Sequence, residues 1–196
     1  MGGVFMDLHA HYLKNRTYRK YLPKEIEPEK LNAIMDNVVL AHCGNNRQLL
    51  RYAVVCSKEV RDQIAGQIHF AALLPREIAD PKPEEEPAAY IIILEPSPSS
   101  RVNDIDLGIA AEVITDCACE EGIGSCMMLN FNKTEVGKIL QLPENLEAGM
   151  VIALGYSCHE SHVVPLKKGG DTAYKVNDDY NFTVPKYNAE DVTRKY

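Results

Sequence analysis

Apolar positions recur along this chain with two different spacings, one helical and one extended. Leu31, Ile34, Met35, Val38 and Val39 share one side of a helix predicted over 28–42, with Pro28 and Glu29 suited to its first turn and Gly44 to its end. A longer helix is predicted over 104–121. Its Ile109, Ala110, Val113, Ile114, Cys117 and Ala118 fall at helical spacing, and Gly122 stops it. Shorter helices are predicted over 4–13, through Phe5, Leu8 and Tyr12, and after the capping candidate Ser57, where Val60, Ile64, Ile68 and Ala71 form a stripe. Asn132 and Glu135 have the spacing of a capping box for another, through Val136, Ile139 and Leu140.

Uninterrupted apolar runs mark the strands. YAVVC at 52–56 and SCMML at 125–129 read as strands, and AAYIIIL at 88–94 and MVIALGYS at 150–157 as buried ones. PREIADPKPEEEP at 75–87 carries four prolines and several acids and reads as a solvated loop. Residues 158–196 show little periodicity and are too polar to build a core alone. They are expected to pack on the body, wrap a partner or stay mobile. The whole reads as one α+β domain over 1–196, with about four strands, four or five helices and a C-terminal extension from 158. The elements do not alternate as βαβ units, and no GxGxxG follows a strand, which argues against a Rossmann cofactor site.

Composition narrows the function classes. A net charge of −7 over 196 residues repels a phosphate backbone, so a nucleic-acid partner is not expected. No apolar run approaches the ~20 residues of a membrane helix, and MGGVFMDLHAHYL lacks the features of a signal peptide. The six cysteines form no CxxC pair and are expected to be reduced thiols of a cytoplasmic protein. Cys158, His159 and His162 offer too few ligands for zinc and are expected in a surface turn. His9 and His11 are similarly weak candidates. No metal site and no side-chain nucleophile are expected.

Three segments carry chemistry. In NRTYRKY (15–21), Arg16, Thr17 and Arg19 could wrap a phosphate with charge-assisted hydrogen bonds. Taken alone, the cluster reads as a solvated basic surface. In GNNRQLLRY (44–52), the amides of Asn46 and Gln48 suit a ring bearing carbonyls and ring nitrogens, although a polar helix-to-strand loop has the same composition. In EEGIGSCMML (120–129), Gly122 and Gly124 would let backbone pass close to a flat ligand, or simply end a helix.

In this order the three segments resemble the FMN-dependent nitroreductase family, over roughly residues 10–157 and weakly in the tail. NRTYRKY resembles the family's RRSxRxF opening, which implies that Arg16, Thr17 and Arg19 bind the FMN phosphate and ribityl chain. AHCGNNRQLLRYAVV is similar to PSSxNxQPWxFVV, which gives Gly44, Asn46 and Gln48 cofactor-binding roles. DLGIAAEVITDCACEEGIGSCMM resembles the family helix and its GLGSC ending, the most specific match. It implies that Gly124 and the backbone of Met128, Leu129 and Asn130 approach the flavin ring. VPKYNAED resembles the C-terminal basic segment, with Lys186 as a phosphate contact. Departures are His42 in place of a frequent proline, Leu49–Leu50 in place of Pro-Trp, and Asn188 in place of a frequent arginine.

The resemblance implies an antiparallel or mixed central sheet flanked by helices in a homodimer, with the 104–121 helix central to the interface. It implies a ping-pong transfer of electrons from NADH or NADPH, through FMN, to a small nitroaromatic, quinone or flavin acceptor. A flavin-binding or scavenging protein of the same fold, and an unrelated α+β interaction domain, are the other readings.

Overall fold

The structure is a computed structural model that describes residues 7–71 and 74–196. Residues 4–6 of the first predicted helix lie outside the described residues. In chain order the elements are α1 (Leu8–Lys14), α2 (Pro28–Val38), β1 (Arg51–Val55), α3 (Lys58–Ala65), α4 (Arg76–Ala79), β2 (Ala89–Pro96), α5 (Arg101–Glu120), β3 (Gly124–Met128), α6 (Lys133–Ile139), β4 (Leu146–Gly155), β5 (Ser161–Pro165), β6 (Lys175–Val176), β7 (Phe182–Lys186) and α7 (Ala189–Val192). Among the described residues no helix is long and apolar enough to cross a membrane.

Four strands form the central sheet in the order β1-β2-β4-β3, every neighbour antiparallel. The apolar runs of β2 and β4 are continuous because both faces of this sheet are covered. Ile91 and Ile93 of β2 and Met150, Ile152 and Leu154 of β4 face α2 and α5. Tyr90 and Ile92, with Val151 and Ala153, join Ile64 of α3 and Val136 of α6 on the other face. The register slips by one between Ile93 and Leu94, leaving Gly149 as the extra residue of β4. A side chain there would crowd Leu107 Cδ1 and the buried carboxylate of Glu95, so a larger residue would force those side chains to shift.

α5 is the central helix. Leu107, Ala110, Ala111, Ile114 and Ala118 are buried against the sheet, whereas Val102 and Ile105 face outward. It starts three residues earlier than predicted, because Ser100 caps it by accepting from the Asn103 N–H at 3.3 Å. It stops where predicted: Gly122 takes φ 73°, and the Ile123 N–H reaches the Ala118 carbonyl at 2.8 Å in a Schellman closure.

Other expectations are corrected. α2 ends at Val38 instead of 42, and Val39 and Leu40 are exposed in the turn that follows. Ser57 precedes α3 without making a side-chain cap. The proline-rich segment is not wholly a loop, since it holds α4 and a 3-10 turn at Pro83–Glu85. Only half of the Asn132–Glu135 box forms: Asn132 accepts from the Glu135 N–H at 3.2 Å, while the Glu135 carboxylate pairs with Lys138 at 2.7 Å. Asn132→Ala is expected to cost about 1 kcal/mol, read as a lower midpoint in urea at unchanged slope.

The tail builds a small sheet of its own, ordered β5-β7-β6, with β5 and β7 parallel and β6 antiparallel to β7. It contacts the body at Lys20. The Cys158 N–H donates to the Lys20 carbonyl at 3.2 Å, and the Lys20 ammonium lies 4.2 Å from the Tyr180 ring centre. The Phe182 ring is buried, with His159, Tyr180 and the Arg19 guanidinium around it.

Candidate functional site

The first predicted segment is held in place from both sides. Asp7 caps α1 by accepting from the His9 and Ala10 N–H groups at 3.0 and 3.1 Å. His11 then docks α1 onto α5: Nε2 contacts Asp116 Oδ1 and Nδ1 contacts Glu120 Oε1, each at 2.8 Å. Asn15 Nδ2 donates to the same Asp116 oxygen at 2.8 Å. Beyond α1 the chain lies against β3, where Thr17 pairs with Ser125 in a single parallel bridge and the Tyr18 N–H donates to the Ser125 carbonyl at 2.8 Å. Gly124 permits this approach, because a Cβ on it would sit 3.0 Å from the Tyr18 side chain.

Arg16 and Thr17 thereby share a recess of about 190 Å³ with Glu112, Ser125 and Met127. Arg16 Nη2 donates to the Tyr12 carbonyl at 2.6 Å, while its Nε is buried with no hydrogen-bond partner. The Nε atoms of Arg19 and Arg61 are likewise unpartnered, but only Arg16 lines a recess that Thr17 and Ser125 also line, and a guanidinium with hydroxyl-bearing neighbours fits an oxyanion such as phosphate.

Arg19 and Lys186 lie elsewhere. The Arg19 guanidinium stacks on the tail, 5.0 Å from the Tyr174 ring centre and 4.8 Å from that of Phe182. Lys186 ends β7, its carbonyl accepting from the Leu166 N–H at 2.8 Å and its side chain exposed. The structure therefore brings Arg16 and Thr17 together, but not Arg19 or Lys186 with them.

His159 corrects the surface-turn expectation. It is 7% exposed, ringed by Tyr18, Tyr180 and Phe182 with centres 5.1–5.4 Å apart overall, and its Nε2 accepts from the Arg19 N–H at 3.0 Å. Burial lowers its pKa, so it is a neutral structural ring, whereas Cys158 and His162 are exposed. Among the described residues no group of three or more His, Cys, Asp or Glu could hold a metal ion.

The second predicted segment forms a strained turn. Gly44 opens a 3-10 turn, its N–H donating to the buried Asp106 carboxylate of α5 at 2.8 Å. A Cβ on Gly44 would meet Val102 Cγ1 at 2.5 Å, so a larger residue there would have to displace the Val102 side chain. Asn45, Asn46 and Gln48 all take left-handed backbone, at φ 53°, 53° and 50°. Such conformations cost about 1–3 kcal/mol each and cluster at ligand sites. The Gln48 amide reaches Asn46 Oδ1 at 3.3 Å, and both side chains are exposed. Behind this turn lies a cleft of about 330 Å³ lined by Met35, Val38, Cys43, Leu49, Leu50 and Tyr52.

The third segment follows β3. Met128 is buried, while Leu129, 68% exposed, and Asn130 stand outside, with the Asn130 carbonyl accepting from the His69 N–H at 3.1 Å. The Gly44 turn and the Arg16 recess meet α5 at different heights. Asp106 and Thr115 are nine residues apart, or about 13 Å along a helix. Ser125, Glu112 and Asp106 are site residues that sequence reasoning did not single out. An aspartate within the apolar stripe of α5 was the available signal for Asp106.

Comparison with known proteins bears on the family and the fold. A sequence profile described as the Nitroreductase family matches residues 13–156. The chain belongs to the nitroreductase family. A relative from Archaeoglobus fulgidus, with the provisional name NADH dehydrogenase/NAD(P)H nitroreductase, is 26% identical over 148 residues, covering 72% of this chain and 80% of its own. A nitroreductase family protein of Clostridium novyi superposes with TM-score 0.66 at 22% identity, covering 92% of this chain and 95% of that one. An FMN-dependent nitroreductase of Clostridium difficile gives TM-score 0.63 at 24% identity, with coverage of 76% and 87%. At these identities the solved structures establish the fold: an antiparallel sheet flanked by helices.

Proposed function

We propose that this nitroreductase family member is an FMN-dependent oxidoreductase that passes electrons from NADH or NADPH to a small organic acceptor of nitroaromatic, quinone or flavin type. The observation that carries this is the recess lined by Arg16, Thr17 and Ser125 at the foot of β3, in which the Arg16 Nε is buried without a partner. When bound, FMN supplies the hydride chemistry, and the protein supplies binding, orientation and electrostatics. Arg16 and Thr17 would hold the phosphate end. The backbone of Met128, Leu129 and Asn130 would line the ring, with the Asn46 and Gln48 amides offering hydrogen bonds to its polar edge. Gly44 fixes that turn on α5.

The same reading makes the protein a homodimer. The Gly44–Gln48 turn and the Arg16 recess are separate in one chain, so a partner copy bringing its own turn would complete the site. An outward apolar surface supports this: Leu40 is 78% exposed and Val39 61%, and on α5 Val102 and Ile105 are 42% and 54% exposed. An obligate interface of this kind should bury upwards of ~2,000 Å². All six cysteines are free thiols.

Purified protein should release FMN on heating, identified by mass, and its bound flavin should bleach when mixed anaerobically with NADH or NADPH and recolour with a quinone. FAD, or no flavin after reconstitution, would overturn the reading. Flavin that responds to neither nicotinamide would favour a flavin-binding or scavenging role. Light scattering should return twice the 21.9 kDa chain mass; a flavin-loaded monomer would contradict the dimer.

A further inference from the structure

Glu112 lines the same recess as Arg16, Thr17 and Ser125. It projects from the exposed side of α5, and its own carbonyl accepts from the buried Thr115 hydroxyl at 3.1 Å. Among the described residues no ion pair joins it to Arg16, whose Nη2 is engaged by the Tyr12 carbonyl. Burial first and Asp116 second raise its pKa, while the nearby charges of Arg16 and His11 pull it down.

A pocket evolved only to grip a dianion would surround its guanidinium with donors. Here a carboxylate stands among them. A phosphate carrying close to two charges near Arg16 gains from the guanidinium and loses to Glu112, and the sign of that loss does not depend on pose. A neutral ligand of the same shape feels neither charge strongly.

We infer that Glu112 is a specificity-determining residue that limits the recess's preference for a phosphorylated over an unphosphorylated flavin. This rests on the FMN reading above.

The test uses full-length apoprotein titrated with FMN and with riboflavin. Glu112→Gln keeps the shape and removes the charge. It should tighten FMN about three- to tenfold and leave riboflavin unchanged, the size of a partly screened interaction with a double charge. Glu112→Lys should move the FMN-to-riboflavin ratio further the same way, and both gains should shrink at about 1 M salt, where the screening length is about 3 Å. An unchanged ratio in folded variants, or equal weakening of both flavins, would overturn the inference, the second result marking Glu112 as an acceptor for the sugar-alcohol hydroxyls. A wild type that binds flavin while the ratio stays fixed removes this inference alone. A wild type that binds no flavin removes the FMN reading with it.

Discussion

Arg16→Ala is expected to weaken FMN about ten- to a hundredfold and to leave riboflavin nearly untouched. A charge-assisted hydrogen bond contributes roughly 1.5–3 kcal/mol, and each ~1.4 kcal/mol is a decade of affinity. Arg16 is the one predicted phosphate-binding arginine that lines the recess with Thr17 and Ser125. Arg19→Ala should behave differently. Its guanidinium is stacked on Tyr174 and Phe182, so its removal should lower the melting temperature and weaken both flavins alike. Lys186→Ala, with an exposed side chain at the end of β7, should have the smallest effect of the three on FMN. Isothermal titration of the three apoproteins with both flavins separates these outcomes. An equal loss of FMN and riboflavin for Arg16→Ala would show that Arg16 supports the fold, not the phosphate.

The contrast between Arg16 and Arg19 shows what a sequence exposes and what it hides. Two arginines three apart in an irregular segment look equivalent, because local spacing says nothing about which long-range neighbours each one meets. Arg19 meets rings that enter from residues 174 and 182, and no periodicity marks them. For the same reason the β5–β7 ladder was not legible: two short, half-exposed strands pair in parallel across some twenty intervening residues. The buried state of His159 follows from that sheet and from Tyr18, not from its own CHESH surroundings. By contrast, β2, β4 and the buried face of α5 were plain, since continuous or helically spaced apolar residues have few other places to go. The Gly44–Gln48 loop stands between these cases. Its position was readable from a resemblance, but its left-handed Asn45, Asn46 and Gln48 were not, because nothing local to those side chains requires it. Gly44, docked on Asp106, anchors the turn at its start.

His11→Leu is expected to cost about 2 kcal/mol of stability at pH values below about 6.5, and less as pH rises. The His11 side chain is 3% exposed, and both its nitrogens lie 2.8 Å from carboxylates, Asp116 and Glu120. A neutral imidazole has one N–H and can satisfy one of them, whereas the imidazolium donates to both. The Asp116 hydrogen bond is the main cause of its raised pKa, opposed by burial and reinforced by Glu120. The folded value therefore lies above the unfolded value of 6.5, and the stabilisation is complete below 6.5 and lost as pH climbs through the folded value. Tyr12, which donates to Asp116 at 3.4 Å, and Glu112 face the same cluster; both are raised, Tyr12 chiefly by Asp116 and Glu112 chiefly by burial. His159 works in the opposite sense. Burial lowers its pKa, so its share is complete above 6.5 and lost as pH falls, which is why the comparison must be between wild type and variant at each pH rather than along one curve. Urea unfolding of both proteins at about pH 6 and about pH 8.5 should show the wild-type advantage shrinking at the higher pH. An advantage of equal size at both would mean that His11 contributes packing alone. Because Asp116 also holds Asn15, next to Arg16, the same rise in pH should loosen FMN in the wild type more than in His11→Leu, where the clasp is already gone.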